Sequence, residues 1–394
     1  MFTQKSQLKR KLVKTFRAGN LHLTYKSDKA VQVIMPKIHR IQIGEGRYDY
    51  VFTVPLGLNP SDVENKLWLF HAQFGENIEL IRDNKTFILS VFTADIPNSL
   101  TYNYNAYDNA LANKHLPILC GQGRGGYVAY DLVEHPHLLI AGTTGSGKST
   151  QLRSVLTTLI KAKSPDDMHL YLADLKRSEF HAFKGIEHVQ SVCTDIPSLE
   201  RVLKYLDKEL KRRGDILDQQ EQTHITDLPT AERPPLIVLC IDEVVLLKKE
   251  KKLMQVVEDI SSIGRALGVF LILSMQRGDA KVMDGKLKNN LTVRMGFRHT
   301  DGVNSRITGT PGAEDISRGT PGRFLLKLDR LSELQSPYLE LDKARELLKP
   351  FKSVDLPVDS KLSLPMLQRE PTTPQVKQDA TLENLSIFGV LDNE

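Results

Sequence analysis

Leu138-Leu139-Ile140-Ala141-Gly142-Thr143-Thr144-Gly145-Ser146-Gly147-Lys148-Ser149-Thr150 runs from a short apolar stretch into a glycine-rich turn and then into residues that favour a helix. The turn fits the pattern G-x-x-x-x-G-K-[ST] between an expected strand and an expected helix, the setting in which that pattern holds phosphate. Gly142, Gly145 and Gly147 let successive backbone N–H groups turn toward one point with no Cβ in the way, and the helix that follows adds partial positive charge at its N-terminus. The expected ligand is a nucleoside triphosphate, cradled by residues 142–150. Lys148 would reach its β- and γ-phosphates, and the Ser149 hydroxyl would serve Mg²⁺.

Outward from this loop, apolar runs at residues 170–173, 236–241 and 269–274 alternate with helical segments. That alternation between residues 117 and 349 predicts an α/β domain whose mostly parallel sheet is covered on both faces. Each run ends in residues with chemistry to offer: Asp174, then Asp242-Glu243, then Gln276. In such sheets ligands bind beyond the carboxyl ends of the strands. An apolar strand delivering two adjacent acids suits phosphoryl transfer, with Asp242 serving Mg²⁺ and Glu243 taking the proton of an attacking water. Gln276 is placed to bond the γ-phosphate or that water. Asp174 either joins the Mg²⁺ network or caps the turn after its strand.

The chain has 394 residues, 40% hydrophobic and 26% charged, ordinary for a soluble globular protein with two or three domains. No run approaches the ~18–20 apolar residues of a membrane-spanning helix. Cys120, Cys193 and Cys240 are far apart and at no metal-ligand or redox spacing, so they read as buried small hydrophobes of a reducing compartment. Residues 1–19 form a basic amphipathic lead-in: Lys5, Lys9, Arg10, Lys11, Lys14 and Arg17 surround Leu8, Leu12 and Phe16 at helical spacing. Such a segment serves anionic lipid, nucleic acid or an acidic partner, or is simply a solvated face. Residues 20–116 read as a small α+β module and a connection. Its short strands fall at 21–25, 31–35, 48–54 and 86–92, with one helix N-capped by Ser61 and boxed by Glu64. Residues 350–394 are punctuated by Pro357, Pro365, Pro371 and Pro374 and read as a flexible tail. Its apolar end, residues 382–391, either folds back or docks on a partner.

His137-Leu138-Leu139-Ile140-Ala141 with the phosphate loop, Ile241-Asp242-Glu243, Ile263-Gly264-Arg265-Ala266-Leu267-Gly268-Val269, Gln276-Arg277 and Gly312-Ala313-Glu314 follow one another as they do in DNA translocases of the FtsK/SpoIIIE type. The chain resembles that family over about residues 117–349. The resemblance implies a RecA-like motor domain, assembled as a ring, usually a hexamer, that pumps double-stranded DNA through its pore by ATP hydrolysis. It also implies that Arg265 reaches a neighbouring subunit's nucleotide and steadies charge on the γ-phosphate, and that Arg277 and Lys288 touch DNA. Residues 277–306 hold seven basic side chains, Arg277, Lys281, Lys286, Lys288, Arg294, Arg298 and Arg306, against three acids. Of these, Lys281, Lys286 and Arg298 join Arg277 and Lys288 as candidate DNA contacts, made to phosphate and so without sequence information.

The family's cell-division members carry membrane spans and a DNA-reading winged helix, and neither is visible here. The chain therefore resembles the short coupling and transfer ATPases of Gram-positive mobile elements. These act in the cytoplasm and rely on a separate membrane partner, which the basic N-terminal segment or the tail would meet. An alternative is a nucleotide-gated adaptor that links a relaxase to a membrane channel. A protein-exporting ATPase would use the same motor residues but has no need of the positive balance after Arg277.

Overall fold

The computed structural model describes residues 4–27, 30–44, 46–283 and 285–353. The expectations for residues 354–394, the flexible tail and the apolar stretch 382–391, lie outside them.

The N-terminal module runs α1 (Gln4–Ala18), β1 (Leu23–Ser27), β2 (Ala30–Ile34), β3 (Lys37–Gly44), β4 (Arg47–Thr53), α2 (Ser61–Asn65), α3 (Leu67–Phe74), β5 (Ile78–Asp83) and β6 (Thr86–Phe92). β3, β4, β6 and β5 form an antiparallel sheet in that order, while β1 and β2 pair as a separate hairpin. Leu12 and Phe16 of α1 are fully buried with Phe70, Phe52, Phe87 and Leu89 in one core. The apolar stripe of the basic lead-in is therefore spent on packing, and residue 19 marks no break in the body. Lys66 Nζ crosses that point to donate to the Gly19 carbonyl at 2.7 Å. The helix expected to begin with a Ser61 cap is built differently. Pro60 precedes it in helical conformation, its fixed φ suiting a first turn, and Asn59 Oδ1 takes the Ser61 N–H at 3.0 Å. Glu64 pairs with Arg82 at 2.9 Å, and the helix breaks at Lys66 into α2 and α3.

The larger domain continues with α4 (Asp108–Leu111), β7 (Pro117–Gly123), β8 (Gly126–Asp131), β9 (Leu138–Ala141), α5 (Lys148–Ala162), β10 (Met168–Asp174), β11 (Val189–Cys193), α6 (Ile196–Gln220), β12 (Leu236–Asp242), α7 (Lys251–Leu267), β13 (Val269–Met275), α8 (Gly285–Asn290), β14 (Val293–Phe297), α9 (Gly302–Thr308), β15 (Arg323–Lys327), β16 (Leu331–Gln335) and α10 (Leu341–Leu348). One ten-stranded sheet runs β11-β10-β12-β13-β9-β14-β15-β16-β7-β8. The strands from β11 to β14 are parallel, and the remainder extend the sheet antiparallel.

Alternate residues of each central strand enter opposite cores, as a pleated strand buried on both faces requires. Leu236, Val238 and Cys240 pack with α5 residues such as Leu152 and Leu156, while Ile237, Leu239 and Ile241 pack with Leu203 of α6 and Val257 of α7. The chain is thus a three-layer α/β fold. All three cysteines are buried and free, and burial raises each thiol's pKa, which suits packing rather than redox or metal chemistry. No helix among the described residues is long and apolar enough to cross a membrane.

Two glycines explain how α7 reaches the sheet. A Cβ on Gly264 would meet the Val269 carbonyl oxygen at 2.2 Å, and Gly268 closes the helix in the left-handed region at φ 66°. The intervening Arg265 is exposed, and its side chain makes no hydrogen bond or ion pair among the described residues.

Candidate active site

The strand order brings the carboxyl ends of β9, β10, β12 and β13 to one edge, where β9 gives way to the phosphate loop and Asp174 lies opposite Asp242 in register. The loop's backbone is tied to its neighbours: Gly142 N–H donates to the Met275 carbonyl at 3.2 Å, and Thr143 N–H and Oγ1 both donate to the Arg298 carbonyl at 3.0 Å. Gly147 sits at φ 108°, and a Cβ there would lie 2.7 Å from Gly322. The glycines are thus required by close backbone packing as well as by the turn.

Lys148 is nearly buried and its Nζ lies 3.1 Å from Asp242 Oδ1. It also donates to Ser274 Oγ at 2.6 Å, and Ser274 donates to the same Asp242 oxygen at 2.9 Å. Asp242 Oδ2 accepts no hydrogen bond among the described residues, so one carboxylate oxygen is left for a cation's shell. With the Ser149 hydroxyl, this is a hard oxygen donor set of the kind that suits Mg²⁺. Sequence reasoning passed over Ser274, although it is the one hydroxyl in the otherwise apolar Val269–Met275.

Glu243 follows in the left-handed region, at φ 63° and ψ 62°. A non-glycine residue there costs roughly 1–3 kcal/mol, a strain that concentrates at functional positions. Its carboxylate is held from two sides, Oε2 by Lys176 Nζ at 2.7 Å and Oε1 by the Gln276 N–H at 3.2 Å. Gln276 Oε1 is 3.5 Å from Thr144 Oγ1, at the limit of a hydrogen bond, so its side chain faces the phosphate loop. Asp174 accepts the N–H groups of Ser178, Glu179 and Phe180 at 2.9–3.0 Å, which makes it a turn cap. The turn it caps delivers Lys176 to Glu243.

A cavity of about 550 Å³ opens beside the loop, lined by Thr143–Thr144, Lys148–Thr150, Gln276, Pro321–Gly322, Gln335–Ser336, Tyr338 and, from the connection, Asn98–Leu100. The wall formed by residues 98–100 was read from sequence as a linker. In the structure Arg323 grips it, its Nη2 donating to the Ile96 and Pro97 carbonyls while Nε bonds Gln335 Oε1 at 3.1 Å. Tyr338 N–H donates to the Leu100 carbonyl at 2.6 Å. A side chain that binds carbonyls distant in sequence leaves no local signal, which is why this wall was missed.

The other candidate residues fall outside this cluster. Arg265 lies at the C-terminal end of α7, before β13 begins and so at the opposite edge of the sheet from its own chain's phosphate loop. Arg277, Lys281 and Lys286 are exposed and Lys288 half-buried on the segment after β13. Among the described residues no partner is found for the Arg277 side chain. Arg294, counted in the positive balance of that segment, is instead buried, donating to the carbonyls of Leu291, Thr308 and Lys288. Arg298 stands behind the phosphate loop rather than on the segment after β13.

Comparison with known proteins shows what this stretch is similar to. Residues 104–238 match the model of the FtsK/SpoIIIE family. The DNA translocase FtsK of Tropheryma whipplei is 30% identical over 258 residues, 60% of this chain and 35% of that protein. This chain spans about a third of the length of the translocases it matches. Among solved structures, the monomer form of the pCW3 conjugation coupling protein TcpA with ATPγS is 25% identical, with a TM-score of 0.57 over 86% of this chain and 98% of that one. The cytoplasmic domain of the Thermomonospora curvata type VII secretion ATPase EccC aligns with a TM-score of 0.55 at 24% identity, covering 62% of this chain and 32% of that one, a likeness of fold. The fold is that of a phosphate-loop ATPase.

Proposed function

We propose that this chain, which carries an FtsK/SpoIIIE family domain, hydrolyses ATP and turns the energy into movement of double-stranded DNA through a ring of identical subunits, a hexamer by family resemblance, in conjugative or plasmid DNA transfer. The observation that carries the reading is one hydrogen bond. Glu243, the residue suited to take a proton from the attacking water, holds the backbone N–H of Gln276, and the next residue is the exposed Arg277. Lys248, five residues past Glu243, pairs with Asp279 of the same segment, and Gly278 N–H bonds Asn304 of α9 at 3.0 Å. A change at the γ-phosphate that shifts Glu243 or Gln276 therefore pulls directly on the basic segment.

In this reading residues 142–150 cradle the phosphates, and Ser149 with Asp242 would hold Mg²⁺, which when bound neutralises charge on the β- and γ-oxygens. Lys148 moves its charge between Asp242 and the phosphates. Glu243 accepts the water's proton while Lys176 keeps its carboxylate in place. Arg277, Lys281, Lys286 and Lys288 meet DNA phosphates, and the exposed basic face of α1 offers an acidic relaxase or membrane-channel partner a docking surface. The chain would work in the cytoplasm, with that partner as its membrane link.

The test is turnover against duplex length. ATPase rate is expected to rise strongly with long duplex DNA, and Arg277→Ala with Lys288→Ala should weaken DNA binding uniformly across sequences and reduce its salt slope by about two. Turnover indifferent to duplexes of every length would contradict translocation and favour the nucleotide-gated adaptor.

A further inference from the structure

Behind the phosphate loop lies a second, smaller cavity of about 160 Å³, walled by Gly145, Ser146, Arg298, Ser317, Arg318, Thr320 and Pro321. It shares Gly145 and Pro321 with the nucleotide cavity, so the two stand back to back across the loop. Its lining holds two arginines and no acid. Neither guanidinium makes a hydrogen bond or ion pair among the described residues, and the Ser146 hydroxyl is buried with no partner among them. Two unneutralised cations beside one cleft repel each other, and an anion between them removes that cost. Planar guanidinium groups match the oxygens of phosphate better than any other side chain. The volume lies below the ~300 Å³ at which pockets begin to take drug-sized ligands, so a nucleoside is excluded.

We propose that this cleft is a binding site for a phosphate group, and that its occupant is free inorganic phosphate. The position favours the free ion over the DNA backbone: Arg298 follows β14, on the far side of β9 from β13, whose carboxyl end leads into Arg277. The proposal that the phosphate comes from ATP rests on the hydrolytic reading above; the binding itself does not. The Arg298 carbonyl takes both the N–H and the hydroxyl of Thr143, and the Ser146 carbonyl takes the Gly322 N–H at 2.8 Å. Anion binding here therefore stiffens the loop that grips the nucleotide, and phosphate becomes a product that regulates its own source.

The full-length chain saturated with ATPγS and Mg²⁺, so that the nucleotide cavity is filled, is dialysed against radiolabelled inorganic phosphate. About one phosphate per chain is expected to remain bound, with Arg318→Ala and Arg298→Ala each weakening it about tenfold or more, as loss of a charge-assisted contact does. Arg318 is exposed, so its variant keeps the test valid if Arg298→Ala fails to fold. ATPγS affinity, measured in phosphate-free buffer, should stay within about threefold of the parent. Absence of phosphate binding in the ATPγS-loaded chain, or binding unchanged in both variants, overturns the site. Displacement of phosphate by a short duplex assigns it to the DNA backbone, and equal displacement by glutamate assigns it to a protein carboxylate; either overturns the free-ion assignment.

Discussion

Glu243→Gln is expected to lower the ATPase rate about 10²–10⁴-fold, the range for removing a general base, while leaving nucleotide affinity nearly unchanged. The substitution is close to isosteric. The amide oxygen can still accept the Gln276 N–H, so the basic segment keeps its tether, but the ion pair with Lys176 and the capacity to take a proton are lost. Steady-state turnover beside fluorescent-nucleotide binding separates the two effects. A rate within threefold of the parent would remove Glu243 from the chemistry. A proportional loss of binding and rate would instead make it a structural residue whose left-handed backbone shapes the cavity.

The second large effect concerns Arg265. An arginine supplied across a subunit boundary is worth about 10³–10⁵ in rate where such fingers have been measured. Arg265→Ala is expected to approach that loss without harming the fold, because an exposed side chain with no partner changes stability by about 0.5 kcal/mol or less. Mixing supplies the decisive comparison. In a ring built at random from equal amounts of Arg265→Ala and Glu243→Gln chains, on the order of a quarter of the boundaries pair an intact Glu243 with an intact Arg265. Recovered activity on mixing two inactive proteins means that the residues act in trans. Failure to recover, with each variant still assembling, places Arg265 outside catalysis.

The phosphate loop and the acid pair were legible in sequence because their demands are local. Backbone that must turn toward phosphate calls for glycine, and a strand buried on both faces is a continuous apolar run, so Gly142–Thr150 and residues 236–243 could be read directly. The half of the sheet beyond β9 was not legible. β14 is five buried residues that include Arg294, and β16 meets β7 in a single pairing at Gln335 and Gln122. Short strands with a polar residue inside lack the alternation that marks a strand. Arg294 and Arg298 look alike in sequence, yet one is consumed by three carbonyls of its own chain and the other borders a cavity. Which basic residue is free depends on where distant carbonyls come to lie, and sequence spacing does not carry that information. The same applies to Ser274, Lys176 and Arg323, which reach the site through contacts 67 to 227 residues apart in sequence.

The central claim is that splitting ATP at Lys148 and Glu243 drives motion along a duplex. It is tested most directly by displacement of a third strand from a triplex placed at the far end of a linear DNA. The expected result is ATP-dependent release that is delayed as the duplex track lengthens, and that is absent with ATPγS, with Glu243→Gln and with Arg277→Ala plus Lys288→Ala. Full ATPase activity with the third strand left in place, whatever the track length, would contradict it.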